Sequence, residues 1–366
     1  MIKEISDLFY EPTYEKVRRG AQPVKKCFSS MKIVSVLIPE GDISLVNVEG
    51  LHHIFAEANK ALKRVGKEPL FHFQLIGKKK DNFLKDFFGV YPSVLVTEDI
   101  RTDILIIPAL HGDLSAALER NKDLVPWIVE QRHRGAEIIS LCTGAFLLAA
   151  TGLLDGKSCA THWIHINDFR NEFPTVNVVE EQILTDENGI YTSGAAYSYL
   201  NLILYVLNKY MDRELVVFIA KIFAIDMGRN DQSQFMIFHG YKNHGDIQIL
   251  KAQEFIEKNF GQRITVPQLA DYVSLGKRNL ERRFKDATTH SVTEYIQRVK
   301  VEAAKKALEK GVQIINDIVY DIGYSDVKSF RNIFKKIVGM SPAEYRNRYN
   351  RNIRALEKDT ILQPYV

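Results

Sequence analysis

The sequence predicts an α/β domain on a mostly parallel sheet, followed by an all-α domain holding two helix-turn-helix units. Three observations predict it. Short, continuous β-branched and apolar runs alternate with helical periodicities up to about residue 223, the pattern of parallel strands covered on both faces. Beyond Asp246 the strand signals stop, and apolar residues recur at helical spacing, as at Ile249, Ala252, Phe255 and Ile256. Inside this helical region the same pattern occurs twice, about 50 residues apart. At 366 residues the chain also exceeds what one hydrophobic core serves.

In chain order, Lys32 to Pro39 is a β-branched run. The turn Glu40-Gly41-Asp42 leads to a helix from Val48 to Val65 that sets Leu51, Ile54, Phe55, Ala58 and Leu62 on one face. Phe71 to Ile76 reads as a second strand and Ile104 to Ile107 as a third, stopped by Pro108, which has no N–H to continue a ladder. Leu124 to His133 is helical, Ala136 to Leu141 is strand, and Gly144 to Gly152 is helical again. Strand signals follow at Val176 to Leu184 and Ile190 to Thr192, then helices at Ala195 to Tyr210 and Glu214 to Phe223. The resulting division is an N-terminal extension 1–30 of unknown role, an α/β domain 31–228, a linker 229–247, a helical domain 248–350 and a tail 351–366.

Apolar residues at 46% and charged residues at 26% exclude a disordered or fibrous chain. The apolar runs fall well short of the ~20 residues that span a bilayer, and residues 1–30 lack an apolar signal core, so no membrane segment and a cytoplasmic location are expected. Three cysteines, Cys27, Cys142 and Cys159, are too few for a disulfide framework. Charge is unevenly spread. Residues 246–366 hold 22 Lys and Arg against 15 Asp and Glu, net +7, which leaves net −3 for residues 1–245. This basic excess suits a nucleic-acid-binding module, although a basic face is often only a solvated one.

The repeat decides between those readings. Leu269, Ala270 and Val273 correspond to Ile318, Val319 and Ile322 at an offset of 49. At an offset of 50, Leu280, Phe284, Lys285 and Ser291-x-x-Glu294-Tyr295 correspond to Phe330, Phe334, Lys335 and Ser341-x-x-Glu344-Tyr345. Each copy gives a short helix (Val266 to Val273; Ile315 to Ile322), a tight turn (Ser274 to Gly276; Gly323 to Asp326), a second helix and a capping box. Each second helix keeps two apolar anchors and projects polar groups. Those expected to reach DNA are Lys277, Arg278, Arg282 and Lys285 in the first copy and Lys328, Arg331, Asn332 and Lys335 in the second.

Residues from about 248 to 350 resemble the AraC/XylS family DNA-binding domain, in which a long helix, here Thr293 to Lys310, joins the two units. The segments Asp317-Ile-Val-Tyr-Asp-Ile-Gly-Tyr-Ser-Asp326, Ser329-Phe-Arg-Asn-Ile-Phe-Lys-Lys336 and Gly339-Met-Ser-Pro-Ala-Glu-Tyr-Arg346 carry the likeness. The resemblance implies double-stranded promoter DNA as a partner. Gly276 departs from the usual Ser or Asn cap, and glycine is tolerated there.

In the α/β domain, Ser140-Leu-Cys-Thr-Gly-Ala-Phe-Leu-Leu148 sets Cys142 at a strand-to-helix turn, where a nucleophile is exposed and a thiolate meets helix amides. A small buried hydrophobe is the competing and commoner role for a lone cysteine. Cys142-Thr-Gly-Ala-Phe, Gly152-Leu-Leu-Asp-Gly156 and Thr161-His-Trp163 resemble the PfpI/ThiJ family, related to class I glutamine amidotransferases. Joined to an AraC-type C-terminus, they resemble the GlxA group of transcription regulators. That likeness implies a flavodoxin-like sheet, a homodimer and an unknown small-molecule effector.

Three departures bear on chemistry. Thr143 stands where catalytic relatives carry His, Asn47 where isonitrile-hydratase-like relatives carry Asp, and Ala109-Leu110-His111-Gly112 where a Gly-rich turn is usual. The expectation is a non-catalytic domain with a ligand pocket at His111, Cys142, Thr143 and His162. The alternative is a cysteine enzyme, isonitrile hydratase or deglycase-like, fused to a DNA-binding domain. His162 and His165 form too small a ligand set for a metal, so neither metal nor cofactor is expected.

Overall fold

The computed structural model describes residues 31–78, 94–97, 99–311 and 313–350; the extension 1–30, with Cys27, and the tail 351–366 lie outside the described residues. The α/β domain runs β1 (Lys32–Ile38), α1 (Leu45–Arg64), β2 (Phe71–Gly77), β3 (Val94–Leu95), β4 (Ile104–Ile107), α2 (Leu114–Asn121), α3 (Leu124–His133) and β5 (Glu137–Leu141). It continues with α4 (Ala145–Ala149), β6 (Ser158–Cys159), α5 (Ile166–Glu172), β7 (Asn177–Val178), β8 (Leu184–Asp186), β9 (Ile190–Ser193), α6 (Ser198–Tyr210) and α7 (Arg213–Ile222).

Seven strands form one sheet in the order β3-β2-β1-β4-β5-β9-β8. All neighbours are parallel except β8 and β9. The four residues of β4 are buried without exception, so both faces of the sheet are covered, as its unbroken apolar run requires. Helix α1 buries Leu51, Ile54, Phe55, Ala58 and Leu62, the stripe read from the sequence. Chain order reverses at β1, which lies between β2 and β4, so the crevice of this open sheet falls at the carboxyl ends of β1 and β4, beside that of β5.

The strand expected from Val176 to Leu184 is not continuous. Asn177–Val178 pairs with β6, and Leu184–Asp186 pairs antiparallel with β9. Between them Glu180 gives its carboxylate to Arg170 at 2.5 Å and the Glu181 carbonyl accepts from Gln232 N at 2.8 Å, which takes the backbone out of the ladder. The helix expected from Gly144 begins as a single 3-10 turn, Cys142–Gly144.

The C-terminal domain is helical: α8 (Ile247–Lys258), α9 (Val266–Tyr272), α10 (Lys277–Thr288), α11 (Val292–Lys310), α12 (Ile315–Asp321), α13 (Val327–Val338) and α14 (Pro342–Tyr349). It has two cores. Val292, Tyr295 and Ile296 at the start of α11 pack with Ile256, Leu269, Leu280 and Phe284, whereas Val301, Ala304 and Leu308 farther along it pack with Ile318, Val319, Phe330 and Phe334. Helix α11 is therefore the shared spine, and its 19 residues make it about 28 Å long. Among the described residues no helix is long and apolar enough to cross a membrane.

Candidate nucleic-acid interface

The repeat extends to backbone conformation. Ser274 and Gly323 occupy the left-handed region at φ 53° and 76°, closing the turn before each second helix, and Thr289 and Gly339 do the same at φ 63° and 81° at its end. Helix α10 starts at Gly276 without a side-chain cap, while Asp326 caps α13 by accepting from Lys328 N and Ser329 N at 3.1 and 2.9 Å. The two expected capping boxes differ. Ser341 and Glu344 close theirs reciprocally at 3.3 and 2.7 Å. In the first copy Ser291 accepts from Glu294 N at 3.2 Å, but the Glu294 carboxylate turns to Arg298 at 3.6 Å.

Leu280 and Phe284 anchor α10, and Phe330 and Phe334 anchor α13; all four are buried. Opposite them, Lys277, Arg278, Arg282 and Lys285 on α10 are exposed, as are Lys328, Arg331, Asn332 and Lys335 on α13. Arg282 is partly occupied, donating to Asp286 at 3.2 Å and Asn279 at 3.3 Å. Side chains of Arg278 and Arg331 make no hydrogen bond or ion pair among the described residues. Arg283, on the inner side of α10, is structural: it donates to both oxygens of Asp246 at 2.9 and 2.6 Å and so ties α10 to the start of α8. Lys300 of α11 donates to the carbonyls of Gln262, Ile322 and Gly323 at 3.1, 2.7 and 3.2 Å, fastening the turn of the second unit to the loop after α8.

Cys142 sits at the carboxyl end of β5 with φ 56°, the left-handed geometry of a nucleophile elbow. Gly144 follows because a Cβ there would lie 2.5 Å from the Pro108 carbonyl oxygen and 2.7 Å from that of Ile107. Thr143 Oγ1 donates to the Leu110 carbonyl at 2.6 Å, Thr161 Oγ1 donates to that of Cys142 at 3.0 Å, and Asn47 Oδ1 accepts from Ala109 N at 3.1 Å. These bonds seal the turn. Cys142 and Thr143 are each 5% exposed, while His111 is exposed and His162 half-buried at the rim. Burial pushes the Cys142 thiol up to about 11, and hydrogen bonding from Thr143 offsets this only in part. Burial, followed by the charges of His165 and His111, holds His162 below its ordinary value, and its Nδ1 accepts from Ile164 N at 3.2 Å.

Residues 43–209 match the DJ-1/PfpI family model, and residues 269–348 match the model described as a helix-turn-helix domain. The chain joins a DJ-1/PfpI domain to an AraC-type helix-turn-helix domain. It is 25% identical over 228 residues to the HTH-type transcriptional regulator GbdR of Pseudomonas aeruginosa, a span of 62% of this chain and 61% of that protein. Against the HTH-type transcriptional regulator GlxA of Rhizobium meliloti it is 23% identical over 217 residues, 58% of this chain and 66% of the other. The matches thus span less than two thirds of either relative. A crystal structure of an AraC family transcriptional regulator from Pseudomonas putida aligns with 53% of this chain and 99% of its own, at 16% identity and a TM-score of 0.44.

Between the DJ-1/PfpI and helix-turn-helix domains the chain is packed rather than free. Gln232, fully buried, accepts from Ala195 N at 2.9 Å and donates to the Glu180 carbonyl at 2.7 Å. Phe238 lies edge-on to Tyr295 with centroids 5.1 Å apart, and its N–H donates to Glu302 at 3.1 Å. A cavity of about 270 Å³ opens here, lined by both domains. Neither Gln232 nor Ser233 is marked by the sequence, because a polar stretch without periodicity reads the same whether it is solvated or buried. Elsewhere, Glu49, His52 and His53 cluster on the exposed side of α1, with the Glu49–His53 pair at 3.2 Å. All three come from one solvated helix face, and no buried group among the described residues supports a metal site there.

Proposed function

We propose that this protein is a sequence-specific, DNA-binding transcription regulator of the cytoplasm whose two helix-turn-helix units read successive major grooves of promoter DNA. The single observation that carries the reading is the duplicated helix pair, α10 and α13, each anchored by two buried apolar residues and each presenting exposed Arg and Lys. A spine of about 28 Å between them is comparable with the ~34 Å of one DNA turn, so two reading heads on one chain suit two elements about 10 bp apart. The DJ-1/PfpI domain, in this reading, senses a small molecule and pairs two copies of the chain about a twofold axis.

We infer that Cys142 is not a catalytic nucleophile. Burial raises the thiol to about 11, so at neutral pH the sulfur stays protonated. No histidine bonds the sulfur among the described residues, and Thr143 spends its hydroxyl on Leu110. Selection of duplexes from a random library, followed by titration of substituted proteins, tests the regulator reading. Arg278→Ala and Arg331→Ala should relax base preference at one element each, by about 1–3 kcal/mol. Lys285→Ala and Lys335→Ala should weaken all sequences alike and lower the salt slope by about 1 each. Failure to enrich any sequence would end the proposal.

A further inference from the structure

Two polar atoms in the wall of the cavity between the domains, Ser233 Oγ and Arg298 Nε, are buried and have no hydrogen-bond partner among the described residues. Ser233, only 4% exposed, has an Oγ with no hydrogen-bond partner among the described residues. Arg298, on α11, has its Nε buried without a partner, and its guanidinium makes no hydrogen bond among them. Its nearest acids are Glu294 at 3.6 Å and Glu180 at 4.0 Å, both beyond hydrogen-bonding distance. A guanidinium has five N–H donors, and its side chain here is 15% exposed. Glu294 and Glu180 offset its charge without hydrogen-bonding it, and it faces the Phe238 ring at 5.9 Å, so its N–H donors still gain from an incoming acceptor.

The surroundings define what fits. Charged neighbours in the wall are already matched: Glu180 by Arg170 at 2.5 Å, Lys305 by Glu302 at 3.0 Å, and Lys242 by Glu257 at 2.6 Å. Burial would raise the Glu180 carboxyl, but Arg170, helped by Arg298, holds it below its ordinary value and charged. These acids, together with Asp168 beside the cavity, disfavour a dianion, so the arginine suits one negative charge. Trp163, Ile164, Met236, Phe238, Val301 and Ile337 supply apolar wall on several sides.

We propose that this cavity binds a small monocarboxylate with an apolar body, its carboxylate on Arg298 and a second polar contact on Ser233. Guanidinium and carboxylate match in shape as well as in charge, which is why arginine serves this recognition so often. The inference rests on the effector-sensing reading above and names a site and ligand class for it. Occupancy would act directly on the spine of the DNA-binding domain, since Arg298 lies between the residues of α11 that enter its two cores, Ile296 and Val301.

The test uses the full chain and two probes, benzoate and 4-methylpentanoate, each against its uncharged amide, titrated by calorimetry to about 10 mM. Saturable binding of at least one carboxylate is expected, at least tenfold tighter than its amide. That binding should fall at least tenfold in Arg298→Gln and severalfold in Ser233→Ala. Equal affinity for acid and amide, equal affinity in wild type and Arg298→Gln, or no saturable binding of either acid would each overturn the proposal. Ser233→Ala removes one hydroxyl and serves if Arg298→Gln unfolds, with undiminished binding in it counting against the site. DNA binding by the same proteins separates the two readings: wild-type protein that binds DNA but no carboxylate refutes the site alone, whereas loss of specific DNA binding in the wild type refutes the regulator.

Discussion

Tyr345 donates its phenol to Glu309 at 2.6 Å, and fifty residues earlier Tyr295 does the same to Glu257 at 2.7 Å. Each ring also stands edge-on to the second anchor of the second helix in its unit: Tyr345 to Phe334 with centroids 5.7 Å apart and Tyr295 to Phe284 at 5.2 Å. Burial and then the glutamate raise both phenols, so neither ionises near neutrality. Tyr345→Phe should keep the ring contact and cost about 1 kcal/mol, the loss of one hydrogen bond, and Tyr295→Phe should cost more, because its hydroxyl also accepts from Gln253 at 3.1 Å. Chemical denaturation checks this, and effects within error of zero would show that the phenols are incidental.

Asp246 performs two tasks, accepting from Ile249 N at 3.2 Å as the cap of α8 and receiving both Arg283 donors. Arg283 holds its carboxyl below the ordinary carboxylate range, with burial opposing and the Ile249 amide assisting. A carboxyl depressed in the folded state contributes stability above its unfolded value of about 3.9, lost as pH falls through the lower folded value. Asp246→Ala should therefore cost about 1–3 kcal/mol at pH 7 and progressively less as pH falls below about 3.9. An equal cost across this range would contradict the ion pair.

Cys142 should react with iodoacetamide far more slowly in the folded chain than in denaturant at pH 7.5, because burial both hides it and raises its thiol to about 11. The folded-state rate should climb with pH to about that value, and Cys142→Ser should leave DNA affinity unchanged. Fast, saturable labelling at neutral pH would restore the nucleophile reading.

Most of the helix-turn-helix domain is legible in the sequence because its signal is redundant. Anchors, turns and caps recur at an offset of 49 or 50, so Leu280 and Phe330 each confirm the other. The parallel sheet is legible for a different reason: strands buried on both faces, such as Ile104–Ile107, are continuous apolar runs. Helix α2 leaves no comparable trace. It buries only Ala117 and Asn121 and starts on an Asp113 cap to Ala116 N at 3.0 Å. The sealing of Cys142 is likewise hidden, because it depends on Thr143, Thr161 and Asn47 meeting backbone from strand ends far apart in the chain. Arg298 reads in the sequence only as one residue of the connecting helix, because its place in the wall of the cavity depends on groups from both domains.

The spacing of the two elements in a selected DNA site tests most directly whether both units read one duplex. With an intact site, inserting about 5 bp between its elements turns one to the opposite face of the helix, and α11 is too rigidly packed at both ends to follow. Affinity should drop at least about 100-fold, toward the non-specific level. Unchanged affinity across the insertion would mean that only one unit reads DNA, and would contradict the central claim.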